Sequence, residues 1–239
     1  MIKTISIPTW NRLDYLKQVI EGLGNNNQDL LKEYILIFSC EPHEETIEYV
    51  RSLDLPVKDI YIDINSRYTS VVLNPYKATM LAYEKFFADI NVFLEDDDIP
   101  AQDMLELAEW YINKPISENV AVYGLAAMKH DYKYKDNIIL RGNYFWGIGY
   151  MTKRDQWIRF FQTNWLGQGH GGVLEAIIND NAMVYFPAKT RIKNVGINGA
   201  HCNEHVYYTL HELDKYQFPN KYISQEDFKL NEKYFYTHE

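Results

Sequence analysis

The sequence predicts an α/β fold built on a doubly wound sheet, and three observations carry that expectation. Short apolar runs alternate with amphipathic helical patterns through the first half of the chain. Runs such as "EYILIFSC" are almost continuously apolar, as a parallel sheet covered on both faces requires. The chemistry-bearing stretches "PTWNR", "SCEPHEE" and "EDDD" each follow a strand-like run, where open α/β sheets bind ligands.

The elements follow in order. "KTISIPT" reads as a short buried strand ending at Pro8. "RLDYLKQVIEGL" spaces Leu13, Leu16, Val19, Ile20 and Leu23 as one helical face, and Gly24 with three asparagines ends it. "EYILIFSC" is a second strand, "HEETIEYVRSL" a helix and "VKDIYIDI" a third strand. "NPYKATMLAYEKFFAD" is a helix with Pro75 near its start, "INVFL" a fourth strand and "AQDMLELAEWYINK" the next helix. The second half is less regular. "VAVYGLAAM" reads as a strand, and "KHDYKYKDNIILRGNYFWGIGYMTKRDQWIRFF" as a charged loop, a strand, a glycine-rich bend and a helix. "GGVLEAIIND" reads as a helix and "AMVYFPAKTRIKNVG" as strand and loop, with a tail rich in Tyr, Asn and Lys after Cys202.

Composition narrows the class. With 239 residues, 46% of them hydrophobic, the chain can bury the core of one large domain. A net charge of −9 speaks against broad phosphate neutralisation of a nucleic acid and is compatible with a bound metal cation. Two cysteines, Cys40 and Cys202, make neither a disulfide framework nor a zinc cage. No charged N-terminal region precedes an apolar core, and no run of about eighteen apolar residues exists. The expectation is a soluble cytoplasmic protein without a membrane span, and a virus-encoded one acting in a host cytoplasm fits the same observations. Phosphate-binding P-loop, nucleophile-elbow and Cys/His zinc spacings are all missing.

The acids Glu95, Asp96, Asp97 and Asp98 raise the sharpest question. A run of acids is most often a solvated turn or a helix cap, and Asp98 before Ile99-Pro100 suits a cap or first-turn position. Their place after a buried strand favours another reading. Closely spaced carboxylates there suit Mg²⁺ or Mn²⁺, which prefer oxygen ligands and leave room for water and phosphates.

Several blocks in the right order resemble GT-A fold glycosyltransferases, most closely the N-acetylglucosaminyltransferase I type, glycosyltransferase family 13. "FSCEPHEETIEYV" is similar to that family's strand, S-Q-D-like turn and H-E-E helix. "NPYKATMLAYEKFF" resembles its Y-Y-K-I-A-x-H-Y helix, and "VFLEDDDIPAQDMLEL" its V-E-D-D-L-x-x-A-P-D-F block. "NYFWGIGYMTKRDQW" resembles its P-G-L-G-W-M-L-x-x-x-L-W block, and "PAKTRIKNVG" loosely its R-P-E-x-S-R-T segment. The resemblance covers most of residues 1 to 200. It implies one GT-A domain over 1–239, with a Rossmann-like mixed sheet and a more irregular acceptor half. Residues 1–112 would form the nucleotide-sugar half, 113–205 the acceptor and catalytic half, and 206–239 a cap or arm.

The resemblance also implies roles. Asp97 would contact the metal, Asp96 the donor ribose or sugar, and Glu95 the sugar hydroxyls. Glu41 takes the place of the base-reading Asp. Pro8, Thr9, Asn11, Arg12 and Lys77 would line the donor site, with Arg12 reaching the diphosphate or base. Trp146 beside Gly147 would meet donor or acceptor, whereas Phe145 reads as core. "NVGINGAHC" resembles a C-terminal loop that closes over the diphosphate. There His201 completes the metal shell or binds phosphate, His205 is a weaker candidate, and Gly196 and Gly199 allow close backbone approach. The W-D-D segment that carries the family's catalytic base is replaced by "TNWLGQGHGGVLEAIIND". His170 is the first candidate for the base and Glu175 the second, with neither also open.

The implied activity is metal-dependent transfer of a hexosyl or pentosyl group from a nucleotide sugar, a UDP-sugar first, to a hydroxyl acceptor with inversion. The acceptor would be a glycan, a lipid-linked sugar or a protein. A second reading takes a modified base in DNA as acceptor, using "KHDYKYK" with Arg141, Lys153 and Arg154 as a basic edge. A third is a non-catalytic nucleotide-sugar binder.

Overall fold

The computed structural model describes residues 1–114, 119–127, 135–196 and 218–230. Among the described residues, nine strands form one mixed sheet. Four come from the first half: β1 (Lys3–Thr9), β2 (Tyr34–Cys40), β3 (Asp59–Ile64) and β4 (Ile90–Phe93). They are parallel and ordered β3-β2-β1-β4, so the order reverses between β1 and β4. The helices between them are α1 (Leu13–Gly24), a single turn α2 (Gln28–Leu31), α3 (Glu44–Arg51) and α4 (Leu73–Met80). A π-turn over Leu81–Lys85 extends α4.

The two faces of the sheet explain its composition. Successive strand residues point to opposite sides. Leu36 and Phe38 therefore enter the core beneath α1 and α5 (Met104–Asn113), while Ile37 enters the core beneath α4. Both sides are apolar, so the strand reads as an unbroken hydrophobic run.

The second half extends the sheet beyond β4 with β8 (Tyr150–Lys153), β6 (Val120–Gly124), β9 (Met183–Pro187), β7 (Ile138–Gly142) and β11 (Lys229–Leu230). β8 is antiparallel to both β4 and β6. It falls where the sequence reading has only a glycine-rich bend. After it come α6 (Arg154–Gln156), continued as a π-turn to Phe161, and α7 (His170–Asn179). Phe145, Phe161, Trp157 and Trp165 form much of the core on this side, and Phe145 is core as expected.

A two-strand ribbon, β5 (Asp98–Pro100) with β10 (Ile192–Asn194), lies apart from the large sheet. Asp98 therefore opens a strand. It is not the helix cap that its neighbourhood suggests, because α5 begins only at Met104. Among the described residues, no helix is long and apolar enough to cross a membrane.

Candidate functional site

The strand order places a crevice beyond the carboxyl ends of β1 and β4. A cleft of about 890 Å³ opens there. Pro8 to Arg12 line it from the end of β1, and Glu95 to Asp97 from the end of β4. Glu41 and residues 68 to 75 form another wall, with Trp165 and Gly167 to Gly171 opposite. Ile148, Asn194 and Gly196 complete it.

The four acids form a tight turn, in which the Asp98 amide donates to the Glu95 carbonyl at 3.1 Å. Their carboxylates have different duties. Asp98 is fully buried and accepts from the Glu95 amide at 3.0 Å, the Gly149 amide at 3.1 Å and Asn194 Nδ2 at 2.9 Å. It welds the acid turn to β8 and β10. Asp97 accepts from Asn194 Nδ2 at 3.0 Å and from Arg12 Nη1 at 2.5 Å. Asp96 accepts from Arg12 Nη2 and, at 3.3 Å, from the Trp10 amide. Gly196 packs directly over Asp97, so close that a Cβ there would overlap the carboxylate.

One guanidinium thus faces three carboxyl groups, those of Asp96, Asp97 and Glu95. Burial raises the Asp96 pKa to about 6, against the relief that Arg12 supplies. Burial, with Asp97 adding to it, takes Asp98 to about 7. Glu95 is raised well above the carboxylate range by burial and by its acidic neighbours. Burial opposes the charge on Arg12, but Asp96, Asp97 and Glu95 outweigh it and hold the guanidinium protonated. The cluster is short of positive charge and consists of hard oxygen donors, which is the chemistry that Mg²⁺ and Mn²⁺ fit. Among the described residues, no three Asp, Glu, His or Cys side chains are arranged to hold a metal ion. The chain would therefore offer Asp97 and Asp96 and leave the remaining positions to substrate oxygens and water.

The other expected residues divide. Pro8, Thr9, Asn11, Arg12, Glu41 and Glu95 all line the cleft. Thr9 Oγ1 is buried without a hydrogen-bond partner among the described residues, and so is free for a ligand. Glu41 is already engaged. Its carboxylate accepts from the amides of Thr69 and Ser70, from Thr69 Oγ1 and from Asn65 Nδ2, and so clamps the 65–70 loop. Lys77 lies outside the cleft, paired with Asp63. Trp146 and Gly147 also lie outside its lining. Gly147, at φ +79°, packs against the His170 ring, where any Cβ would collide.

His170 is in the cleft. It is the first residue of α7, preceded by Gly169 at φ +56°. Its ring packs edge-on against Trp165 (centroids 4.5 Å apart), Phe145 and Tyr150. Nε2 is out of solvent reach with no partner among the described residues. Burial lowers the imidazole pKa to about 4. Glu175 is exposed on α7 and does not line the cleft. His201, His205, Gly199 and most of "KHDYKYK" lie outside the described residues.

Sequence reasoning did not single out Trp10, Tyr68 or Asn194. Trp10 and Tyr68 both line the cleft, their rings tilted against each other with centroids 4.7 Å apart. The signal for Trp10 was its place inside "PTWNR". Asn194 opens the "NVGINGAHC" stretch, whereas nothing local marks Tyr68, which arrives through tertiary structure.

No protein-family model and no curated protein matches the chain. Solved structures do. The mannosyltransferase PcManGT from Pyrobaculum calidifontis, in complex with GDP-Man and Mn²⁺, matches with a TM-score of 0.55 and 15% identity, over 78% of this chain and 56% of that one. S. aureus TarS, residues 1–349, matches at 0.56 and 12%, over 89% and 70%. GalNAc-T7 with UDP, GalNAc and Mn²⁺ matches at 0.58 and 14%, over 90% and 49%. The chain thus spans about half the length of the first and the last of these. At such identities the likeness shows the fold. The chain has the GT-A glycosyltransferase fold.

Proposed function

We propose that the chain is a metal-dependent glycosyltransferase. It would move a sugar from a nucleotide sugar, a UDP-sugar first, to a hydroxyl acceptor with inversion. The observation that carries this reading is the pair Asp96 and Asp97, buried at the reversal of strand order and opening into the cleft. The fold shared with the mannosyltransferase and GalNAc-T7 structures, both holding Mn²⁺, supports it. The finer likeness to the N-acetylglucosaminyltransferase I type supports uridine as the base and inversion as the outcome.

Asp97, with Asp96 beside it, would hold Mn²⁺ or Mg²⁺. Bound there, the ion supplies Lewis-acid stabilisation of the charge that develops on the departing diphosphate. Thr9 and Asn11 line the nucleotide side, and the unpartnered Thr9 Oγ1 gains a hydrogen bond from or to the donor. Glu95 faces the sugar. His170 is the candidate of the two for the base that the cleft contains. It is neutral through the physiological range and so can take the acceptor proton, although a pKa of about 4 makes it a weak base. The acceptor is a glycan, a lipid-linked sugar or a protein. DNA is not favoured. β8 pairs Lys153 with Ile90, at the end of β4 remote from the acids, and Arg154 is held by the Tyr83 carbonyl beyond it.

Thermal stabilisation by a panel of nucleotides and nucleotide sugars, with and without Mn²⁺, tests the reading on wild type and Asp97→Asn. A shift with one nucleotide that requires Mn²⁺ and is lost in Asp97→Asn names the donor. No shift with any nucleotide sinks the proposal. Binding without turnover on any acceptor leaves the chain a nucleotide-sugar binder.

A further inference from the structure

We propose that Arg12 is a tethered cation that a divalent metal must displace from Asp96 and Asp97. Metal entry and delivery of a guanidinium into the cleft are then one event. The inference rests on the donor-site reading above and goes beyond it.

The geometry is specific. Arg12 is the residue immediately before α1. Its guanidinium spans the two carboxylates with one arm on each, Nη2 on Asp96 and Nη1 on Asp97. The remaining oxygens are engaged too, Asp97 Oδ1 by Asn194 and Asp96 Oδ2 by the Trp10 amide. Each of the four oxygens thus already accepts one hydrogen bond, and the guanidinium spans the pair, so an ion that bridges the two carboxylates meets that positive charge and has to displace it. Asn194 is fixed by its place in the ribbon, and the Trp10 donor is backbone. Arg12 is the partner able to leave. Its side chain is about a quarter exposed while both carboxylates are buried. Gly196 closes the Asp97 side of the pair, and Arg12 itself lines the cleft, so a displaced guanidinium has the cleft open to it. A doubly charged ion in its place answers the excess of carboxylates better than a single positive charge. The freed guanidinium carries a planar fork of donors suited to phosphate oxygens. It would then stand in the same cleft as the donor diphosphate.

The exchange makes two opposite demands on one residue. Removing Arg12 should tighten metal binding and weaken nucleotide binding. Isothermal titration with Mn²⁺ alone, and then with UDP at saturating Mn²⁺, measures both on wild type, Arg12→Lys and Arg12→Gln. A charge-assisted hydrogen bond sets the scale at about tenfold or more in each direction. The expected result is tighter Mn²⁺ and weaker UDP in Arg12→Gln, with Arg12→Lys between. Equal or weaker Mn²⁺ binding in Arg12→Gln, with UDP still dependent on Mn²⁺, overturns the exchange and leaves the donor site standing. Absence of both Mn²⁺ and UDP binding in the wild type overturns both. A second measurement needs no variant. In wild-type protein labelled with ¹⁵N-arginine, saturating Mg²⁺ should move the Arg12 Nε–H resonance and speed its exchange with water. An unchanged resonance at saturation refutes displacement.

Discussion

Acidification from pH 7 to pH 5 should cost the protein stability at one side chain, His170. The imidazole is walled by Trp165, Phe145 and Tyr150, and it occupies the first position of α7, where the helix dipole opposes a positive charge. Its pKa falls from an ordinary 6.5 to about 4 in the folded protein. Between those values the unfolded chain binds a proton there and the folded chain does not, so stability falls as pH falls. The loss is about 2 kcal/mol at pH 5 and reaches a ceiling of about 3 kcal/mol below pH 4. Asp96 and Asp98 work the other way. Their pKa values are raised to about 6 and about 7, so the folded chain takes up protons there first and acid favours it. The wild-type curve alone would mix the two signs. Urea unfolding of wild type and His170→Gln at pH 7 and pH 5 separates them, because the variant keeps the acids and loses the imidazole. The wild type should lose about 2 kcal/mol more than the variant over that interval. An equal change in both proteins refutes the claim that a neutral imidazole, largely walled in by aromatic rings, is being forced to charge.

Three further expectations follow from the packing. Gly147→Ala adds a Cβ at φ +79° against the His170 ring, so it should cost about 2 kcal/mol or more and shift the His170 ring resonances by NMR. Lys3→Met removes the ammonium between Glu33 and the buried Glu109, which also accepts from Tyr34 Oη at 2.8 Å. It should destabilise by about 3–5 kcal/mol in urea unfolding, because Glu109 is left charged and buried. Glu41→Gln places an amide against four donors. It should raise amide exchange and protease nicking at 65–70 while leaving the β1 and β2 amides protected, and uniform protection across the loop would contradict the clamp.

The legible part of this fold is the part built from local pattern. Leu13, Leu16, Val19, Ile20 and Leu23 announce α1, and the apolar run of β2 announces a sheet covered twice. The acids were legible as a candidate site because they follow β4. Their division of labour was not. Asp98 becomes a structural acceptor only because Gly149 and Asn194, 51 and 96 residues away, come to it. Glu41 looked like a reader of bases, and its commitment to Thr69 and Ser70 depends on a loop with no sequence signature. β5 and β10 are three residues each, too short for any periodicity. β8 follows two glycines, so "GYMTK" reads as a bend. His170 sits among glycines, of which Gly169 at φ +56° leads into α7, but it is the distant Gly147 that leaves room for its ring.

The insertion of β8 between β4 and β6 has a consequence for how the chain is made. β4 ends at Phe93, and the strand that covers its second edge begins at Tyr150. On the ribosome, the first four parallel strands can assemble while Ile90 to Phe93 still show an open row of amides and carbonyls with apolar side chains on both faces. An uncovered strand of this kind is a template for pairing with another chain. Any fragment that stops short of residue 150 should therefore hold the acid turn and most of the cleft floor and still be prone to aggregate. The site is drawn largely from the first half of the sequence, but it becomes safe to expose only when the second half has arrived.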